Sequence, residues 1–286
     1  MKIMKDKCCD LHLHSYYSDG TNSPATVVQM ARELGLSTIA LTDHNTVKGL
    51  AEFVSAANSC EMDAIAGIEF SVDYKGMELH LLGLCIDGKY FSEIEELMDE
   101  YLRIREQSNR DMVNALRNDG YLIDYDEIIA KSANGYVNRA HIGAELTEKG
   151  YTPSVRVAFD TLLNKKGPYF KPRKFPNVFE MIEYIGKIGG VSVLAHPFLQ
   201  FNENELREFL SEAKKHGLDG METVYTEFSE EQILLLRNIA REFELLESGG
   251  SDFHGSTKPD VAMGVGFGDL KVPASFAEQI KARKRG

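Results

Sequence analysis

The chain has 286 residues, 43% of them hydrophobic and 27% charged, which is ordinary composition for a folded globular protein. That length suits one α/β barrel, or a smaller domain carrying an insertion. A formal net charge of −12 at pH 7 lacks the basic footprint of a protein that binds duplex nucleic acid, although bound metal ions can reverse the sign locally around a small anion. No apolar run approaches the roughly 20 residues of a membrane span, and Met1–Lys7 is too polar for the core of a signal peptide. A cytoplasmic location, away from membranes, is therefore expected.

The first apolar run, Lys7–Leu13, reads as a buried strand. Ser23 and Pro24 then supply an N-cap and a first-turn proline for a helix ending near Gly35. Ser37–Thr42 is a second strand, followed by a helix over about 47–58. Ala64–Ile68 and Leu79–Ile86 are the third and fourth strands. The rhythm then changes. Ser92-Glu-Ile-Glu95 resembles a capping box and opens a long amphipathic helix to about Asn118. Further helices are predicted near 126–130, 140–148 and 154–164, with no strand between about 92 and 168. The βα rhythm returns with a helix over 178–188 and a strand over 191–195, a helix over 204–216 and a strand over 220–224, and a helix over 230–243 and a strand over 244–248. A last helix is predicted over 274–283. Alternating strand and helix argues a parallel sheet, open or closed into a barrel. The expected organisation is a barrel domain built from 1–91 and 169–286, with 92–168 as a helical insertion covering the active site.

Cys8, Cys9, Cys60 and Cys85 have no Cys-x-x-Cys spacing, and adjacent strand residues such as Cys8 and Cys9 point to opposite faces. All four read as reduced core thiols.

Six of the eight histidines fall at or just past strand ends, most with a carboxylate nearby. His12 and His14 end the first strand, and a spacing of two puts both imidazoles on one face. Asp19 follows in a loop. His44 ends the second strand, Glu69 the third, and His80 lies on the fourth. His196 ends a later strand, and Asp252 and His254 follow the last one. In parallel α/β folds the carboxyl ends of the strands form the active-site face, so residues from 12 to 254 would converge at one mouth. A lone histidine beside a strand is usually a hydrogen-bonded structural residue, and His12-x-His14 alone reads equally well either way; the joint placement is what points to metal. Nine ligands exceed the needs of one ion, so two or three divalent ions fit better, with Glu69 or Asp252 bridging. Three such ions, set against three carboxylates and a hydroxide, leave a net charge of about +2, which suits a phosphate monoester dianion.

The motifs Asp10-Leu-His-Leu-His-Ser15, Ser18-Asp-Gly20, Thr42-Asp-His44, Gly67-Ile-Glu69, Ala195-His-Pro197 and Ser251-Asp-Phe-His254 together resemble the signature of the PHP (polymerase and histidinol phosphatase) family. The resemblance implies a distorted (β/α)7 barrel, one unit short of a TIM barrel. It also implies three ions, commonly manganese, iron or zinc. The first would be held by His12, His14, Glu69 and Asp252, the second by Asp19, His44 and His254, and the third by His80 and His196 with Glu69 bridging. The insertion resembles that of phosphatases acting on nucleoside 3′,5′-bisphosphates, whose relatives trim 5′-phosphorylated RNA or act on AMP. It implies phosphate contacts from Arg139 and His141; a helix-entry ion pair and a helix cap are equally good readings of these two. Lys171 or Arg173, re-entering the barrel, could also face phosphate. Asp10 and Asp43 read as orienters of imidazoles or as loop caps, and Glu222 as a further supporting residue in the mouth. His216 reads as a cap at a helix end.

The implied function is hydrolysis of nucleotide phosphate monoesters, with attack by a hydroxide held between the ions. Rival readings are AMP or histidinol phosphate as substrate, an amidohydrolase-like C–N hydrolase, and a non-catalytic metal-binding module. No bridging lysine of the amidohydrolase kind is found in the sequence.

Overall fold

The computed structural model describes residues 8–132, 137–164, 167–170 and 175–284. It divides into two compact units, Met1–Glu95 with Phe175–Gly286, and Glu96–Lys174.

The first unit is the barrel. Its elements in chain order are β1 (Cys8–Leu13), α1 (Pro24–Leu34), β2 (Thr38–Leu41), α2 (Leu50–Ser59), β3 (Asp63–Tyr74) and β4 (Met77–Leu84). A long helix, α3 (Phe91–Asn118), leads out into the second unit, which holds α4 (Tyr125–Lys131), α5 (Arg139–Glu148) and α6 (Val155–Ala158). The barrel resumes with α7 (Val178–Lys187), β5 (Val191–Leu194), α8 (Glu203–Ala213), β6 (Gly220–Tyr225), α9 (Glu230–Glu242), β7 (Leu246–Gly250), β8 (Val272–Pro273) and α10 (Ala274–Arg283).

The sheet order is β7-β6-β5-β4-β3-β2-β1-β8. The β1-β2-β3 and β5-β6-β7 runs are parallel, as the βα rhythm requires, but β4 lies antiparallel to both of its neighbours. The reason is local. A turn at Lys75 and Gly76, both in the left-handed region, joins β3 directly to β4 as a hairpin, with no crossover helix between them. Glu69 therefore does not end its strand. It ends the part of β3 that faces β2, and the strand runs on to Tyr74 against β4.

The sheet closes on itself just beyond β7. His12 O accepts from Asp252 N at 3.0 Å, and His14 N donates to Phe253 O at 3.0 Å, so β1 and the segment carrying Asp252 form one seam. Strand β1 is buried along its whole length. Cys9 and Leu11 pack with Val193, Val224, Phe276 and Ile280, while Asp10 and His12 alternate onto the opposite, polar face. A strand buried on both faces is thus apolar on one and chemical on the other.

The helix starts follow the caps read from sequence at Ser23, whose side chain accepts from Thr26 N. The Ser92–Glu95 box is different. Helix α3 begins at Phe91, and Glu95 turns away to accept from Thr46 Oγ1 at 2.8 Å and Val47 N at 2.6 Å. Glu95 thereby braces the loop after His44 rather than the start of its own helix.

The second unit has its own apolar core, with Met112, Leu116, Ile128, Ile142, Leu146 and Leu163 buried together. Buried Glu145 takes Lys131 and Lys149 as partners. Among the described residues this unit contains no strand, and none of the helices in the chain is long and apolar enough to cross a membrane.

Gly250 sits where β7 meets β1. A Cβ added there would lie 2.4 Å from His12 Cβ and 2.6 Å from His12 N. Gly250→Ala must push β1 away from the seam, and overpacking of this kind costs about 1–3 kcal/mol. The denaturant midpoint should fall accordingly at unchanged m; an unshifted midpoint would show that the seam has slack.

Candidate metal centre

The structure brings all nine sequence-predicted ligands into one cluster in the barrel unit. Their donor atoms form three overlapping groups, each within 4.8 Å: His14, Asp19, His44 and His254; His12, His14 and Glu69; and His44, Glu69 and His80. His196 joins the last of these, with its Nε2 3.1 Å from Glu69 Oε1 and 3.3 Å from His80 Nδ1.

Glu69 is the centre, and it is fully buried. Its Oε2 faces His12 Nε2 at 3.1 Å, His14 Nε2 at 3.2 Å and His44 Nδ1 at 3.1 Å. Its Oε1 faces His80 Nδ1 at 2.9 Å and His196 Nε2 at 3.1 Å. Both oxygens are thus shared between imidazoles, the arrangement of a bridging carboxylate. Asp252 instead turns only Oδ1 to the cluster, 3.2 Å from His14 Nε2, 3.4 Å from His254 Nδ1 and 3.6 Å from His12 Nε2.

These atoms fit metal ions better than they fit one another. His12 Nε2, His14 Nε2, His44 Nδ1 and Glu69 Oε2 are buried and have no hydrogen-bond partner. Leaving a polar atom buried and unsatisfied costs about 1–3 kcal/mol each, so four in one place demand a reason. Donors about 2.0–2.1 Å from a shared ion stand roughly 3 Å from one another, which is the spacing seen here. The set is imidazole and carboxylate with no thiolate. That composition suits zinc, manganese or iron in a reactive site and not a thiolate-rich structural zinc.

Backbone strain supports the same view. His196 has φ 29° and Asp252 φ 55°, both in the left-handed region that non-glycine residues rarely adopt. Each is held there by its surroundings, as is typical of functional positions.

A second layer sets the tautomers. Glu222 Oε1 lies 3.0 Å from His12 Nδ1, and its Oε2 accepts from His196 N at 2.7 Å. A proton on His12 Nδ1 leaves the Nε2 lone pair for the cluster. His254 Nδ1 lies 2.8 Å from Asp252 O, which does the same for His254 Nε2. His14 Nδ1 meets Ser18 Oγ at 3.4 Å, and Ser18 Oγ donates to Asp43 Oδ1 at 2.6 Å. Asp43 therefore acts on His14 through Ser18, and also holds Ser15 N and Oγ. Asp10 has a different task from orienting an imidazole. It accepts from Ser251 N and Oγ, from Gly264 N and from the backbone N–H of His12, and so anchors chain rather than ring.

Arg139 and His141 occupy local positions in the second unit. Asn138 and His141 form a reciprocal capping box at the start of α5, with His141 Nδ1 accepting from Asn138 N at 3.1 Å. Arg139 donates to Leu163 O at 3.3 Å and lies 5.7 Å from the Phe159 and Phe170 ring centres. Lys171 and Arg173 lie outside the described residues. His216 follows α8 beside Gly217 and binds Glu183 while stacking on Phe179. Two residues that sequence reasoning missed touch the site. Tyr225 Oη donates to Asp252 Oδ2 at 2.8 Å, and Lys258 Nζ lies 2.7 Å from the same oxygen. Tyr225 closes β6 three residues after Glu222, and Lys258 follows His254 by four, so position near a motif was the only available signal.

Charge and burial compete throughout. Burial disfavours an ionised Glu69, but the imidazoles around it, with His12 and His80 carrying the charge, hold its carboxyl well below the usual range. Asp19 and Asp252 are likewise held low against burial, Asp19 chiefly by His254 and His44 and Asp252 chiefly by Lys258 and His254. Burial opposes a charge on His80, but Glu69 outweighs it and carries the imidazole up to about 10; Asp252 and Glu69 carry His14 up to about 9 in the same way. Burial wins at His44, pushed down to about 3.

A buried, carboxylate-bridged cluster of imidazoles at the mouth of an α/β barrel defines a metal-dependent hydrolase. Comparison with known proteins makes the class specific. The PHP domain model matches residues 10–173, and the chain belongs to that family. It is 33% identical to a 5′-3′ exoribonuclease of Haemophilus influenzae, over 86% of this chain and 89% of that protein. It is 28% identical to a 3′,5′-nucleoside bisphosphate phosphatase of Chromobacterium violaceum, over 86% of each. A solved structure described as a metal-dependent phosphoesterase of Bifidobacterium adolescentis superposes with TM-score 0.85 at 27% identity, covering 98% of this chain and 97% of that one. The protein is a metal-dependent phosphoesterase, and its barrel is the distorted PHP form.

Without metal, His14 and His80 hold protons at neutral pH, and both must lose them to become ligands. Metal uptake at pH 7 should therefore release protons, and affinity should rise as pH increases from 6 toward 9. Titration of weakly buffered apoprotein with manganese, followed by a pH indicator, checks this; uptake with no proton release would contradict it. Glu222→Ala should weaken metal binding or turnover by about 10–100-fold, because His12 loses the partner that fixes its tautomer.

Proposed function

We propose that this chain hydrolyses phosphate esters of nucleotides, with 3′,5′-nucleoside bisphosphates as the leading substrate and 5′-phosphorylated short oligonucleotides as a second. Two or three divalent ions would be held by His12, His14, Asp19, His44, Glu69, His80, His196, Asp252 and His254. The observation that carries the reading is Glu69, whose two buried oxygens face five imidazoles. The ions, when bound, supply the charge neutralisation and the neutral-pH nucleophile of phosphoryl hydrolysis.

The chain's own residues do the rest. Glu222, Ser18 with Asp43, and the backbone carbonyl of Asp252 keep ring lone pairs aimed inward at His12, His14 and His254. Preorganised ligands avoid reorganisation as charge develops on the phosphoryl oxygens. The nucleotide assignment is supported by the names of the relatives from Haemophilus influenzae and Chromobacterium violaceum. It does not depend on Arg139 or His141, whose described contacts are local to their own helix and its neighbours. A cyclic phosphodiester is a second reading. It is favoured by 25% identity to a phosphoribosyl 1,2-cyclic phosphate 1,2-diphosphodiesterase of Eggerthella lenta, over 94% of that protein.

The test pairs metal analysis by mass spectrometry with a phosphate-release panel. The panel holds 3′,5′-bisphosphates, AMP, histidinol phosphate, a ribose cyclic phosphate and 5′-phosphorylated oligonucleotides. Two or more ions per chain and fastest release from a bisphosphate are expected. One ion or fewer, with no release after manganese reconstitution, would sink the proposal. Asp19→Ala and His254→Ala should each lower kcat by about 100-fold or more, equivalent to about 3 kcal/mol or more of activation free energy; full activity in both would also sink it.

A further inference from the structure

We infer that Tyr225 and Lys258 are positioning residues that hold Asp252 to coordination through a single oxygen, keeping one place on its ion open for substrate. The inference rests on the metal-centre reading above and concerns how one ligand is presented.

The two central carboxylates differ in how their oxygens are used. Glu69 gives both to imidazole-lined positions. Asp252 divides them. Oδ1 faces His12, His14 and His254, while Oδ2 accepts from Tyr225 Oη at 2.8 Å and Lys258 Nζ at 2.7 Å. The division is built from distant parts of the chain. Tyr225 is the last residue of β6, Asp252 lies on the seam beyond β7, and Lys258 follows the short turn Gly255–Thr257.

Rotation of Asp252 to give both oxygens to one ion is opposed on three counts. Tyr225 is 2% exposed, and its hydroxyl would lose its acceptor in a place where water does not replace it. The Lys258 ammonium would lose a carboxylate that is itself only 8% exposed, so the pair is not an ordinary surface ion pair. The backbone of Asp252 is fixed in the left-handed region by its hydrogen bond to His12 O, which limits where its side chain can swing. Two donors of different type on one oxygen also specify it more tightly than either alone.

The chemical consequence is a coordination number. Two-oxygen binding by Asp252 would bring the protein donors on an ion also held by His12, His14 and Glu69 to five; with a hydroxide in the sixth place, manganese or iron would have none left. Hydrolysis needs at least one of those places for the phosphate ester.

The experiment uses full-length protein loaded with cobalt(II), comparing wild type with Tyr225→Phe, Lys258→Met and Lys258→Arg. Four- and five-coordinate cobalt absorbs visible light more strongly than six-coordinate cobalt. Tyr225→Phe and Lys258→Met should lose visible absorbance per bound ion and lose about 10–100-fold in kcat. Their affinity for cobalt, measured by chelator competition, should stay the same or tighten. Lys258→Arg should keep most of the wild-type spectrum and turnover. If spectrum or kcat is unchanged in both Tyr225→Phe and Lys258→Met, the inference fails. It also fails if these variants lose an ion while the spectrum per remaining ion stays the same, since the two residues would then only brace the loop. A wild-type protein that takes up no cobalt would instead defeat the metal reading itself, which separates the two failures.

Discussion

The site depends on one carboxylate. Glu69 carries a charge where the protein excludes water, and it does so because five imidazole nitrogens stand about its two oxygens. Burying an isolated carboxylate is prohibitively costly, so the histidines and the acid are mutually necessary. Without metal, the carboxylates around His14 and His80 raise both and favour their protonated forms. Metal ions bound there would replace those protons. Folding, metal affinity and acidity are consequently aspects of one electrostatic balance.

The barrel's architecture makes this balance possible. Parallel strands bring His12, His14, His44 and His196 to the same edge, while the antiparallel hairpin of β3 and β4 places Glu69 and His80 from strand interiors. The seam between β1 and the segment after β7 sets Asp252 beside His12 through backbone hydrogen bonds. Asp10 ties that seam to Ser251 and Gly264. Strand ends alone would not have produced the cluster. The β3-β4 hairpin and the closure seam supply four of the nine candidate ligands: Glu69, His80, Asp252 and His254.

Around the candidate ligands, the rings of His12, His14 and His254 are held at the far nitrogen. Glu222 links the first strand's histidine to the backbone of His196, so ligands from β1 and beyond β5 move together. Ser18 and Asp43 give His14 a relay that also fixes the Ser15 backbone. Glu95, at the root of the long helix, holds the loop after His44. Stability and reactivity share these contacts, which is why strained backbone at His196 and Asp252 can persist.

Much of this was legible in the sequence for a simple reason. Period-two alternation puts His12 and His14 on one strand face, and the βα rhythm sends strand ends to one mouth; both follow from local geometry. The nine ligand candidates and the insertion's helical character were therefore readable from residue types and spacing. Tertiary structure decided what spacing cannot encode. It reversed β4, because a two-residue turn replaced a crossover helix. It turned Glu95 from helix cap to loop brace, and of the two roles open to Asp10 it selected the anchoring of chain over the orienting of a ring. It gave Arg139 and His141 local bonds in their own unit, and it brought Tyr225 and Lys258 onto the single oxygen of Asp252. The partnerships at Glu95, Asp10 and Tyr225 join residues many positions apart, and which atom meets which is fixed only when the chain has folded. The sequence by itself determined the chemistry of the candidate ligands; the closed barrel determined which oxygen of Asp252 faces them.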